Sequence, residues 1–104
     1  GVAYKQDIDD YRESPAIRVI DELQKVGAEV RYFDPYIPAY QEGGKVVRGE
    51  MELSVESLRN ADLVMITCAH TNINYNFVQQ NARRIFDTKN AMKNVERREN
   101  IEVL

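Results

Sequence analysis

The chain has 104 residues, enough for one domain with a real core. Its 14 lysines and arginines against 17 aspartates and glutamates leave a net charge of −3, which excludes a broad positive field for nucleic acid and makes any anion site local. A single cysteine excludes an internal disulfide framework, no apolar run is long enough to span a membrane, and no signal peptide is legible; the composition suits a reducing, cytoplasmic setting.

Gly1 to Ala3 read as the tail of a strand, and the expectation is that the chain is a fragment of a larger protein. The loop that follows carries Lys5 and Arg12 with Asp7, Asp9 and Asp10 among them, a denser charge than a plain connection needs, and is a candidate anion site. Ser14 is a good N-cap and Pro15 fits the first helical position. Ala16, Val19, Ile20, Leu23 and Val26 then recur at helical spacing, with Arg18, Asp21, Glu22 and Lys25 on the other side, until Gly27 ends the helix as a left-handed cap. The helix N-terminus favours a phosphate through its unpaired amides and partial positive charge.

Ala28 to Phe33 is rich in β-branched and aromatic residues and reads as a strand stopped by Asp34-Pro35, completing a βαβ unit. Tyr36 to Gly49 has a Gly43-Gly44 pair and no periodicity; it reads as a loop with a short extended excursion at Lys45 to Val47. Ser54 opens a short helix with Val55, Leu58 and Ala61 on one side. Leu63 to Cys68, apolar on both faces, predicts the buried central strand of a parallel sheet. Asn74 caps a helix carrying Tyr75, Val78 and Ala82, and Ile85-Phe86 make a short strand ending at Asp87. Ala91 to Asn100 is polar and predicts a turn of helix plus loop, and Ile101 to Leu104 a last strand. The alternation predicts an α/β fold with a three-layer, doubly wound, mostly parallel, Rossmann-like sheet.

Ligands of such sheets sit at the carboxyl ends of the strands. Three loops lie there: after Ala3 with Lys5 and Arg12, after Cys68 with His70, and after Asp87 with Lys89 and Asn90. Cations converging from separate loops suit a pyrophosphate. Asp7, Asp9 and Asp10 lack the glycine and glutamate of a calcium loop, so they are expected to pair with Arg12 or to cap backbone groups, and no metal is assigned. Cys68 reads as a buried small residue and His70 as shaping the rim, with no catalytic residue assigned. Asp34 stands where an acid would hold an NAD ribose, yet the G-x-G-x-x-G fingerprint is absent.

The segment GVAYKQDIDDYRESPA resembles the opening motif of the C-terminal domain of the UDP-glucose/GDP-mannose dehydrogenase family, in which G-x-A-[FY]-K precedes D-x-D-D-x-R-E-S-P. The likeness continues through GAEVRYFDPYIP, ADLVMITCAH and IFDTKNA. It implies that residues 1–104 are a nucleotide-sugar-binding domain of an NAD-dependent 6-dehydrogenase, whose NAD-binding N-terminal domain, central helical domain and catalytic cysteine lie outside this chain. The fragment alone would be inactive. By the same resemblance Lys5 and Arg12 contact the nucleotide-sugar, Lys89 falls where many members carry an arginine, and Tyr4 packs against the base or ribose. The ending IFDTKNAMKNVERRENIEVL is most similar to enzymes of UDP-N-acetylhexosamines, which implies a UDP-sugar substrate, a role in capsule or other surface polysaccharide, and a homodimer or higher oligomer for the parent. The alternatives are an NAD-binding dehydrogenase domain and a free-standing α/β regulatory or interaction module.

Overall fold

A computed structural model describes all 104 residues. In chain order the elements are α1 (Pro15–Lys25), β1 (Ala39–Glu42), β2 (Lys45–Arg48), α2 (Val55–Asn60), β3 (Val64–Ile66), α3 (Tyr75–Asn81), β4 (Ile85–Asp87) and β5 (Ile101–Val103). The class is α/β, with a parallel sheet in the order β3-β4-β5 as a Rossmann-like fold requires. Val64, Met65 and Ile66 pair with Ile85, Phe86 and Asp87, which pair in turn with Ile101, Glu102 and Val103.

The buried apolar side chains form two clusters. One gathers Leu58, Ile66, Val78, Ala82, Ile85, Met92 and Val95, and the other Val2, Ala3, Tyr32, Ile37, Tyr40 and Cys68. The caps of the two short helices form as expected. The Ser54 hydroxyl accepts the Ser57 amide and the Asn74 carbonyl oxygen accepts the Phe77 amide, both at 3.1 Å, each satisfying one orphan donor.

Five local expectations are corrected. First, β4 and not Leu63–Cys68 is the central strand of the ladder; β3 lies at its edge and Leu63 is 50% exposed. Second, neither Gly1–Ala3 nor Ala28–Phe33 joins a ladder. The amides of Val2 and Ala3 go instead to the Asp34 carboxylate at 2.9 and 3.1 Å, while the Tyr32 carbonyl accepts the Glu50 amide. Third, the segment read as a loop holds an antiparallel hairpin, β1-β2, turned by Gly43 and Gly44, whose φ values of 55° and 78° are those a two-residue hairpin turn demands. Fourth, Ala91 to Asn100 forms turns and no helix. Its backbone is claimed by side chains: Asp87 accepts the amides of Ala91 and Met92, and the Arg98 guanidinium donates to the carbonyls of Met92 and Val95.

The fifth correction concerns α1. Its inward face is Ala16, Ile17 and Ile20, because the second core lies on that side, and Val19 and Val26 face out. Ser14 occupies the N-cap position, but its buried hydroxyl makes no capping bond. The other end follows the expected pattern: Gly27 N–H bonds to the Gln24 carbonyl and Ala28 N–H to the Leu23 carbonyl, a Schellman closure with Gly27 at φ 95°. Gly27→Ala should therefore lower stability by about 1–2 kcal/mol, the left-handed cost of a Cβ, read as a shift in urea midpoint at constant slope. No change in midpoint would show that the closure does not depend on glycine.

Candidate functional site

The first loop is tied shut where it leaves the core: the Tyr4 amide donates to the Asp10 carbonyl at 2.7 Å, so Lys5 and Arg12 stand on either side of one closure. At its tip Asp7 adopts φ 61°, a left-handed conformation that a non-glycine residue keeps only when its surroundings impose it. The imposition comes from the loop after β3. The Asp7 amide donates to His70 Nδ1 at 2.8 Å, and the Asp7 carboxylate accepts the Thr71 amide at 2.8 Å and hydroxyl at 2.9 Å. Those Thr71 bonds, led by the amide, hold the Asp7 carboxyl below its usual range.

His70 is buried beneath this junction. Since Nδ1 accepts an amide, its proton sits on Nε2, which donates to Asp34 Oδ2 at 2.9 Å. The Tyr36 ring lies 4.8 Å from the imidazole, centroid to centroid, and the Tyr75 hydroxyl donates to the His70 carbonyl at 2.6 Å. The residue read as shaping the rim is thus inside the protein and acts on the rim from below. Asp34 receives the amides of Val2, Ala3 and Tyr36 as well as His70; burial would push its carboxyl up, but these donors together hold it below the usual range.

The third loop is organised by Asp87, fully buried, whose carboxylate accepts the amides of Lys89 and Ala91 at 3.1 Å and of Met92 at 2.8 Å. The Thr88 amide and hydroxyl both donate to the Ile66 carbonyl, at 3.1 and 2.7 Å, fastening this loop to the end of β3. Asn90 takes φ 54°. All three loops therefore leave the same end of the fold and are linked through the end of β3 and the residues after it.

The four residues expected to contact the ligand, Tyr4, Lys5, Arg12 and Lys89, are all at the surface. Lys5 Nζ lies 5.8 Å from the Tyr4 ring centroid, and Tyr4 is 48% exposed, so this aromatic is not part of the core. Arg12 makes a forked pair with Asp10, Nε to Oδ1 at 3.0 Å and Nη2 to Oδ2 at 2.8 Å, which lowers the Asp10 carboxyl to about 2. A guanidinium has five N–H donors, so this fork leaves three for another anion. Lys5 and Lys89 are exposed and make no ion pair. Asp7 and Asp10 behave as expected, capping backbone and pairing with Arg12.

Cys68 is buried, and burial pushes its thiol up. Its Sγ lies 3.9 Å from His70 Nδ1, but that nitrogen already accepts the Asp7 amide, so no base is free to activate it. A surface hollow of about 330 Å³ between α3 and the segment after β4, lined by Asn76, Gln79, Gln80, Asn94, Glu96 and Arg97, shares no residue with the three loops. A second, of about 300 Å³, flanks the first loop and includes Arg12, Ser14 and Glu42. Sequence reasoning missed Asp87 and Thr71 and read Asp34 for a ribose, not for the internal donors it holds; an aspartate closing a short β-rich run is the one local signal both acids share.

Residues 1–94 match the UDP-glucose/GDP-mannose dehydrogenase family, UDP binding domain. The chain is similar to a protein named UDP-N-acetyl-D-mannosamine dehydrogenase from Methanococcus aeolicus, 30% identical over 94 residues that cover 90% of this chain and 19% of that protein. Proteins of the same name from Pyrococcus horikoshii and Methanocaldococcus jannaschii are each 30% identical, over 98 and 101 residues, covering 89% and 88% of this chain and 21% and 22% of theirs. The chain thus spans about a fifth of the length of these relatives. No solved structure matches.

Proposed function

The chain belongs to the UDP-glucose/GDP-mannose dehydrogenase family, as its UDP-binding domain, and from that premise we propose that it is the nucleotide-sugar half-site of an NAD-dependent 6-dehydrogenase. The substrate is a UDP-N-acetylhexosamine, whose C6 alcohol the parent enzyme oxidises to a carboxylate for surface polysaccharide. The names of the relatives support this choice of sugar. Lys5, Arg12 and Lys89 hold the pyrophosphate, and Tyr4 lies against the uridine. The catalytic cysteine and the NAD site belong to other domains, and the parent acts in the cytoplasm as a homo-oligomer.

One observation carries the reading: the loop bearing Lys5 and Arg12 is fixed at its tip to the loop after β3 by the Asp7 bonds to His70 and Thr71. A charged loop ordered this way keeps its cations in place before a ligand arrives, which reduces the ordering cost of binding. Holding the sugar in one pose then lowers the entropic cost of bringing C6 to the reacting groups.

The chain's own residues do not fit NAD. Asp34, the acid positioned for a dinucleotide ribose, spends its oxygens on four internal donors, and no glycine-rich turn precedes α1. Titration with UDP, UDP-N-acetylglucosamine and NAD in parallel, followed by amide NMR, tests the reading. Uridine ligands should shift the amides around Lys5, Arg12 and Lys89 while NAD leaves them in place. A response of these loops to NAD alone would mean that the chain is the other half of the dehydrogenase.

A further inference from the structure

We propose that His70 is a positioning residue for nucleotide-sugar binding, acting through its Nδ1 as the buried acceptor that fixes the Asp7 tip of the Lys5–Arg12 loop. This rests on the reading of that loop as the nucleotide-sugar site.

The geometry separates the two ring nitrogens by task. Nε2 donates to Asp34 at 2.9 Å, and Asp34 is itself held by the amides of Val2, Ala3 and Tyr36, so the ring is anchored in the core from below. The anchor settles which nitrogen carries the proton and so leaves Nδ1 as an acceptor, 2.8 Å from the Asp7 amide. That amide belongs to a residue at φ 61°, in a conformation an aspartate does not prefer. Thr71, next to His70 in the chain, holds the carboxylate of the same residue. Two adjacent residues thus grip both the backbone and the side chain of Asp7, two positions after Lys5. The tilted Tyr36 ring over the imidazole and the Tyr75 hydroxyl on the His70 carbonyl leave the ring little room to turn over.

Two substitutions part the roles. Asparagine can place an amide oxygen where Nδ1 stands but does not reach Asp34, while glutamine reaches Asp34 from the Nε2 side and leaves the Asp7 amide without an acceptor. In the full-length protein that carries this domain, His70→Gln should weaken UDP binding by about tenfold, the worth of one buried hydrogen bond lost from the loop, with NAD affinity within about twofold. His70→Asn should keep UDP affinity within about threefold of the unsubstituted protein, the Asp7 bond being rescued. Equal losses in the two variants, or equal losses of NAD binding, would overturn the role.

Lys5→Ala and Arg12→Ala run beside them. If those two leave UDP affinity unchanged, the reading of the loop fails, which is a different failure. Should either histidine variant not fold, nitrogen NMR of the unsubstituted protein decides: the expected result is an unprotonated Nδ1 with scalar coupling to the Asp7 amide proton. A ring carrying a proton on Nδ1 would overturn the proposal.

Discussion

Asp34→Ala is expected to destabilise the fold by about 3–5 kcal/mol, enough to leave a domain of ordinary stability largely unfolded at room temperature. The carboxylate receives Tyr36 N–H on Oδ1 at 2.8 Å, and Val2 N–H, Ala3 N–H and His70 Nε2–H on Oδ2 at 2.9, 3.1 and 2.9 Å. Removing it strands these donors away from bulk water, for Asp34 is 3% and His70 1% exposed. Asp34→Asn should cost less, about 1–2 kcal/mol, because its carbonyl oxygen can serve the Oδ2 donors and only Tyr36 loses its acceptor. Urea unfolding followed by circular dichroism measures both. Wild-type stability in the alanine variant would mean that the three segments meeting at Asp34 are held by packing alone.

The same residue sets part of the acid response. The folded Asp34 carboxyl is held below its usual range, as is that of Asp7, so each contributes stability that is fully present above the ordinary carboxylate pKa of about 4. That stability is lost as pH falls through the depressed folded values. Acid unfolding of Asp34→Asn should accordingly be shallower than that of the unsubstituted protein.

Asp34 also shows where sequence reasoning stops. Where an element depends on neighbours within a few residues, it was legible: Ser54 and Asn74 cap the helices they precede, Gly27 closes α1, and Asp10 pairs with Arg12 two residues away. The failures occur where a side chain, distant or near, takes a backbone group that a ladder or a helix would have used. Asp34 claims the amides of Val2 and Ala3 across more than thirty positions. Asp87 and Arg98 between them claim donors and acceptors that a helix after Ala91 would have used. The hairpin is a different case, because Gly43-Gly44 between two short β-prone runs was a readable signal whose strands are only four residues each. At the candidate site the charged residues were legible from their density and from the family resemblance. The clamp was not: Asp7 meets His70 and Thr71 across more than sixty positions, and nothing local marks either partner. His70 does shape the rim, as its place after β3 suggested, but from inside the protein, with both ring nitrogens engaged by Asp7 and Asp34.

Lys5→Ala and Arg12→Ala, made in the full-length protein, should each weaken nucleotide-sugar binding by about tenfold or more, with NAD affinity nearly unchanged, since a hydrogen bond to a charged group is worth roughly 1.5–3 kcal/mol. Arg12 needs a control because its guanidinium also organises the loop through Asp10. Deleting it loses the contact to phosphate and leaves the Asp10 carboxylate bare, adding repulsion to a chain that already carries a net charge of −3. Asp10→Asn separates these effects: it weakens the fork but removes a negative charge, so it should bind UDP as well as or better than the unsubstituted protein if Arg12 acts on the ligand. If Arg12 served only to shape the loop, Asp10→Asn would reproduce the loss. Both alanine variants should also flatten the salt dependence of binding, because exposed cations act on a pyrophosphate through a field that salt screens over about 10 Å at 0.1 M. Lys89→Arg makes the opposite change. A guanidinium can fork onto two phosphate oxygens where an ammonium acts as a point charge, so this variant should tighten UDP binding. An unaltered affinity would place Lys89, which makes no ion pair of its own, outside the reach of the pyrophosphate.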